Sequence, residues 1–347
     1  MNQSKTIPID KFVEKALYNK KFGYYSTKNP FGKFGDFITS PGISFLFSEM
    51  IGIWIISFWE NLNKPKKFNI IELGPGNGEM CKTLIKTFKK FPKFYKSVNI
   101  FLYEKSKNLE KIQRENLKEK KISWLKNFNK IKTGPVLFIG NEFFDSIPIK
   151  QFEKKQKKIY EKYLKIDKHS NYKIILKKAS ESLIKELKNY NLLKSNGIIE
   201  YPKSGLEELK MITKKIKSLQ GGVLLIDYGF LKTGNISTIQ SIKSHKKNSL
   251  FKNIGKADIT SLVNFNLLKE FLLENKLTLN RIVPQSFFLK KIGILNRAEI
   301  ISNKMTFKDK SDLYLRLKRL LHPGYMGELF KVIFAYKSSK KFFLGFK

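Results

Sequence analysis

The stretch Ile70-Ile71-Glu72-Leu73-Gly74-Pro75-Gly76-Asn77-Gly78 decides how this chain of 347 residues folds. An apolar run suited to a buried strand ends in an acid. Alternating glycines follow, and Met80, Leu84, Ile85 and Phe88 then recur at helical spacing. In a strand–turn–helix layout, Gly74, Gly76 and Gly78 leave bare backbone against which a ligand can lie, and Glu72 can meet a cationic group at the strand end. A dinucleotide turn would need a third glycine at position 79, where the chain has Glu79. A plain glycine turn between strand and helix is the alternative.

Outward from this turn, strands and helices alternate, which implies a mostly parallel α/β sheet with crossover helices. Strands are expected at Asn69–Leu73, Val98–Tyr103, a short run reaching Trp124, Pro135–Gly140, Gly222–Gly229 and Leu329–Tyr336. Helices are expected at about 108–120, 206–219, 262–275 and 312–321. Before the sheet, Asp10 is expected to cap a first helix bearing Phe12, Val13, Ala16 and Leu17, and a second helix runs from about Ser44 to Asn61. Between them lies a loop rich in glycine and aromatics, and Pro65 closes this region. Residues 1–66 therefore read as N-terminal helices and a lid, and 67–347 as the core. An insertion at about 150–200 interrupts that core: Lys150 to Ser180 mixes charged and apolar residues and reads as antiparallel strands.

Hydrophobic content of 41% with 14% aromatics describes a chain that can bury a large core. A net charge of +39 invites a nucleic-acid reading. Yet arginine, the better bidentate reader of phosphates and bases, occurs only at Arg114, Arg281, Arg297, Arg316 and Arg319. The lysines run the whole length of the chain, which favours a solvated lysine surface over a binding groove. Cys81 is the only cysteine, so no intrachain disulfide forms and a reducing compartment fits. The greasiest run, Ile51 to Trp59, is too short to span a bilayer and reads as a core helix.

Several acids and polar groups fall at expected strand ends: Glu72, Glu104, Asn141, Glu142 and Asp227. Open α/β sheets bind ligands at that edge, although a single strand-end carboxylate also serves as a helix cap. Glu104 lies one helix and one strand beyond Gly78, where a carboxylate can accept hydrogen bonds from ribose hydroxyls. Trp124 borders the same ligand or belongs to the core. His169, His245 and His322 are isolated and show no metal-ligand spacing, and no metal is expected.

An acid two residues before G-x-G-x-G resembles the first motif of class I S-adenosylmethionine methyltransferases. Further blocks resemble the MidA family of these enzymes. They are Ile7-Pro8 through Tyr18, Gly23-Tyr24-Tyr25, Gly35-Asp36-Phe37-Ile38-Thr39-Ser40-Pro41, Glu72 to Gly76, Asn141-Glu142-Phe143-Phe144-Asp145, Ile226-Asp227-Tyr228-Gly229, Ala257-Asp258-Ile259-Thr260 and Met326-Gly327-Glu328-Leu329-Phe330-Lys331-Val332. Gly42 and Asn77 depart from it, standing where the family commonly has glutamate and arginine.

The resemblance implies a class I, Rossmann-like fold and S-adenosyl-L-methionine as donor, held by Glu72, Gly74, Gly76, Gly78, Glu104, Trp124 and Asn141. It also implies a protein arginine as acceptor, in a core subunit of respiratory complex I or a homologue. A guanidinium is a poor nucleophile, and carboxylates around it fix its plane and bias its charge. Glu142 is the first candidate for that role, with Asp145, Asp36 and Asn141 beside it. Asp145 has a turn-forming alternative in Asp145-Ser146-Ile147-Pro148. Tyr24, Tyr25 and Phe37 either wall the site or pack the lid. An RNA methyltransferase and a non-catalytic assembly factor of respiratory complexes are the competing readings. With family blocks beginning almost at Met1, the expected location is a bacterial cytoplasm rather than a mitochondrial matrix.

Overall fold

The computed structural model describes residues 5–28, 30, 39–169, 171–194, 196–232, 234 and 236–347. At its centre lies β1 (Phe68–Leu73), with every residue buried. Such a continuous buried run is what a strand covered on both faces requires. Around it stand β2 (Val98–Tyr103), β3 (Ile122–Leu125), β4 (Val136–Asn141), β5 (Gly221–Phe230), β6 (Thr278–Leu279) and β7 (Phe330–Lys337). Across the sheet the order is β3-β2-β1-β4-β5-β7-β6. The pairs from β3 to β5 are parallel, whereas β7 runs antiparallel to both of its neighbours. Chain order reverses between β1 and β4, so a crevice opens at their C-terminal ends, where ligands bind in sheets of this type.

The helix Glu79–Lys89 follows the glycine turn and buries Met80, Cys81, Leu84, Ile85 and Phe88. It packs against the helix Phe45–Asn61, most of whose residues are buried. Gly52 permits this approach, since a Cβ there would stand 3.1 Å from Thr87 Cγ2. Trp54 and Phe58 of the same helix share one core with β1, β5 and β7. No helix among the described residues is long and apolar enough to cross a membrane.

The inserted segment is a separate antiparallel sheet of strands Lys150–Lys155, Lys158–Ile166, Tyr172–Lys178 and Gly197–Tyr201. It recruits a strand the sequence did not announce: Lys5–Pro8 pairs with Lys158–Ile166, placing Ile7 opposite Leu164. That pairing fixes where the first helix begins. The helix spans Ile9–Tyr18 after Pro8, with no side-chain cap, so the expected capping role of Asp10 is not observed. Asp10 instead meets Lys150 Nζ at 3.3 Å.

Other differences have local causes. The helix expected over 108–120 spans Lys107–Asn116, because Leu117 turns inward to be buried beneath the glycine turn. Unannounced elements include the helices Glu181–Asn189, Gln285–Lys291 and Ile294–Ser302, and a small sheet of Gln240–Lys243, Lys246–Asn248 and Asp258–Thr260.

Candidate active site

The glycine turn after β1 has the backbone that glycine alone adopts without strain, with φ of +60° at Gly74, +56° at Gly76 and +85° at Gly78. Gly74 and Gly76 line a cavity of about 830 Å³ over the crevice. Gly78 faces elsewhere: a Cβ on it would stand 2.8 Å from Leu117 Cδ1, and it precedes the first residue of the following helix. The Cα of Gly78 thus packs against Leu117, and Gly78 is not among the lining residues of this cavity.

Glu72 is 3% exposed, and its Oε2 has no hydrogen-bond partner among the described residues. Burial pushes its carboxyl up to about 8. It lines a small side compartment together with Asn141, whose Oδ1 is likewise buried without a partner. Two buried acceptors lacking donors are costly in a folded protein. A compact cation with several N–H donors satisfies both, as the ammonium of an amino-acid ligand would.

Glu104, at the end of β2, lines the main cavity. Its Oε1 accepts from Ser106 N at 2.7 Å and its Oε2 from Gln113 Nε2 at 3.2 Å. Burial pushes it up to about 7, against the opposing pull of those bonds. Gln113 is a residue that sequence reasoning missed, since a glutamine on a helix carries no local signal. Fully buried, it also donates to Gly76 O at 2.8 Å and accepts from Trp124 Nε1 at 2.9 Å. Trp124 thus does not border the cavity. Its indole is engaged by Gln113 on its edge and by the Arg114 guanidinium, 4.0 Å from the ring centroid.

On the other side of the crevice, β4 ends in Asn141, and Glu142 takes φ +53°. That conformation is costly for a residue with a Cβ, so the surroundings must hold it. Glu142 N donates to Ile226 O at 2.9 Å, while Glu142 Oε1 accepts from Ser40 N at 3.1 Å and from Asn141 Nδ2 at 2.9 Å. Beneath the turn, Asp227 Oδ2 accepts from Phe144 N at 2.8 Å and Asp145 N at 3.3 Å, and Asp227 Oδ1 accepts from Tyr228 N at 3.0 Å. Asp227 is therefore the brace of the turn and does not line the cavity.

Glu142 and Asp145 both do line it. Burial pushes Glu142 up to about 7. Asp145 is likewise pushed up to about 7 by burial, its Tyr228 hydroxyl bond pulling the other way and the Glu142 charge adding to the rise. Tyr25 also lines the cavity, whereas Tyr24 is fully buried in the lid core. Asp36 and Phe37 lie outside the described residues.

The cavity is acidic. Among its described lining residues are seven carboxylates and only three lysines or arginines. Among the described residues, no lysine or arginine nitrogen lies within ion-pair distance of Glu72, Glu104, Glu142, Asp145 or Asp227. In a chain of net charge +39, these acids form no ion pair with a lysine or arginine among the described residues. Such a site takes cationic ligands.

Comparison with known proteins agrees with this geometry. The family model described as "Putative S-adenosyl-L-methionine-dependent methyltransferase" matches residues 50–283. The mitochondrial protein arginine methyltransferase NDUFAF7 of Xenopus laevis is 28% identical, over 94% of this chain and 80% of its own length. Its Homo sapiens counterpart is also 28% identical, over 93% of this chain and 78% of its own. A Burkholderia thailandensis protein solved bound to S-adenosyl-homocysteine shares the fold, with a TM-score of 0.81 at 21% identity, covering 99% of this chain and 89% of that one. With two thirds of its length matched by the family model and a class I sheet order around the glycine turn, the chain belongs to this family of S-adenosyl-L-methionine-dependent methyltransferases.

Proposed function

We propose that the enzyme methylates a guanidinium nitrogen of an arginine in a protein substrate. The observation that carries this reading is the set of buried acids at the C-terminal edge of the sheet that form no ion pair among the described residues. A sulfonium donor and a guanidinium acceptor are both cations, and a lined pair of carboxylates suits them together. An RNA acceptor brings negative charge into an acidic cavity, so the net charge of +39 does not by itself argue for one. The printed name of the vertebrate relatives, protein arginine methyltransferase, supports the same choice.

In this reading Glu72 and Asn141 take the ammonium end of the donor, Gly74 and Gly76 lie against its body, and Glu104 takes its ribose hydroxyls. When bound, S-adenosyl-L-methionine supplies a methyl group on a sulfonium, open to in-line attack. Glu142 has its Oε1 fixed by Ser40 N and Asn141 Nδ2, while its Oε2 carries no hydrogen bond among the described residues. We assign Oε2 to the guanidinium N–H, where a carboxyl near 7 is matched to receiving the proton that nitrogen loses. Asp145, hydrogen-bonded by the Tyr228 hydroxyl, holds a second edge of the guanidinium.

Residues 1–66 act as the lid in this scheme, with Ser40 of that segment bonded to Glu142. The acceptor implied by the family resemblance is a complex I core subunit or its homologue. A reducing compartment such as the bacterial cytoplasm suits a chain whose lone cysteine, Cys81, is buried.

The test is isotope-labelled donor added to extract from cells lacking the protein, with and without the purified enzyme. Mass spectrometry of the labelled product is expected to find methylarginine in a protein. Label found only in RNA or on lysine overturns the reading.

A further inference from the structure

A further acid lines the cavity beside those already described. Asp258 opens the short strand Asp258–Thr260, is 2% exposed and lines the main cavity. Its Oδ2 accepts from the Tyr25 hydroxyl at 3.1 Å, and its Oδ1 from Ile259 N at 2.9 Å. Asp145 is held in the same manner, by the Tyr228 hydroxyl.

The two acids line the same cavity, together with Tyr25. The Tyr25 hydroxyl is pushed up chiefly by burial, and then by the charges of Asp258 and Asp145. Glu142 in turn acts on Asp145. Glu142, Asp145, Tyr25 and Asp258 thus form a chain of mutually sensed groups across the cavity. Tyr18 backs the chain, stacked on Tyr25 with ring centroids 5.5 Å apart. Burying an aspartate here costs free energy that its hydrogen bonds to Tyr25 and Ile259 offset, and it places a carboxylate on the cavity wall.

The acceptor supplies a reason. A guanidinium carries five N–H donors in a flat fork, more than one carboxylate satisfies. Each donor left unmet in a buried site weakens binding. A primary ammonium, with three donors on one atom, does not need acids spread across the cavity.

We propose that Asp258 and Asp145 form a second carboxylate clamp that binds the acceptor guanidinium, so that Asp258 is a substrate-positioning residue which discriminates for a planar cation. This rests on the arginine reading above.

The test uses the full-length enzyme saturated with S-adenosylhomocysteine, titrated by NMR with Nα-acetyl-arginine methylamide and with its citrulline and lysine analogues. Wild type is expected to bind the arginine compound at least about tenfold more tightly than citrulline, its neutral isostere. Asp258→Asn is expected to remove most of that preference while holding S-adenosylhomocysteine within twofold, roughly the limit of the measurement. Should Asp258→Asn keep the full preference, the clamp is wrong and the arginine reading stands. If wild type shows no preference over citrulline, or prefers lysine, the arginine reading and the clamp fall together. Where Asp258→Asn does not fold, Tyr25→Phe decides. Loss of the hydroxyl that orients Asp258 is expected to weaken arginine binding about threefold with S-adenosylhomocysteine affinity kept, and unchanged arginine binding overturns the clamp.

Discussion

Two turns stand side by side over this crevice, and they are built on opposite principles. The turn after β1 is held by its own residues: three glycines at positive φ give it a backbone that no side chain has to enforce. The turn after β4 contains no glycine. Glu142 sits at φ +53° because Asn141, Ser40 and Ile226 hydrogen-bond to it and Asp227 accepts from the backbone N–H groups of Phe144 and Asp145. The first turn suits an invariant ligand met by backbone. The second places ionisable side chains, which is what a reacting group needs. Donor and acceptor chemistry are divided along that line.

If the division is right, substitutions on the two turns should fail in different ways. The largest effect is expected from Gly76→Val. A branched side chain in the left-handed region costs about 1–2 kcal/mol and fills the cavity floor. Calorimetry should show S-adenosylhomocysteine affinity falling roughly a hundredfold or more, from strain and steric exclusion together. Full affinity in a folded variant would break the comparison at its first half.

Next comes Glu142→Gln, which keeps the size of the side chain and removes its charge. Methyl transfer should drop about a hundredfold, within the range for loss of a general base, while donor affinity changes less than about threefold. Equal losses in both would assign Glu142 to the donor. In the wild type, transfer should rise with pH through about 7 as Glu142 and Asp145 ionise, and the glutamine variant should show a shallower rise.

A smaller loss is expected from Asp227→Asn. The amide offers one good acceptor where the carboxylate serves three N–H groups, so transfer should fall about tenfold without touching any ligand. The informative readout is a kcat effect with donor affinity intact. An unchanged kcat would mean that the turn braces itself.

The smallest effect concerns Glu72 in the ligand-free protein. Its folded pKa, about 8, exceeds the ordinary 4.5, so the folded state holds a proton that the unfolded state has released. Stability from this group therefore falls as pH rises from about 4.5 to 8 and levels off above it. Thermal melts should decline by a few degrees across that window, on the scale of about 2–4 °C per kcal/mol for a domain somewhat smaller than this one. Glu72→Gln should make the decline shallower, with Glu104, Glu142 and Asp145 supplying the remainder up to about pH 7. Binding of S-adenosyl-L-methionine, by placing a cation at this acid, should release protons near pH 7, readable by calorimetry in buffers of different ionisation enthalpy.

The same contrast explains what was legible in the sequence. The β1 turn is encoded within nine residues, and the parallel strands beside it are apolar runs with acids at their ends. All of that is local information. Glu142 and Asp145 were nameable through the family resemblance, but what holds them was not. Asp227 reaches its partners across 82 and 83 positions, and no pattern near residue 142 announces it. Gln113 and Leu117 were invisible for the same reason, because their roles exist only once a helix has been laid beside the turn. Trp124 and Gly78 have neighbours that the sequence did not announce either. Each has the residue type that a ligand site favours, and each packs a neighbour, Gln113 in one case and Leu117 in the other. The acidity of the crevice was hidden in a chain of net charge +39, since charge totals weigh the surface and not the interior.

The pairing of Lys5–Pro8 with Lys158–Ile166 carries a consequence for biosynthesis. A ribosome delivers the first helix long before it delivers its docking strand. Until Lys158–Ile166 has emerged, the strand edge has no native partner and the apolar face of Ile9–Tyr18 has only the neighbouring Tyr24 and Tyr25. Long-range closure of this kind is slow and leaves sticky surface waiting. The N-terminal segment is made first and seated late, so nascent chains stalled before residue 158 should be the ones that chaperones hold.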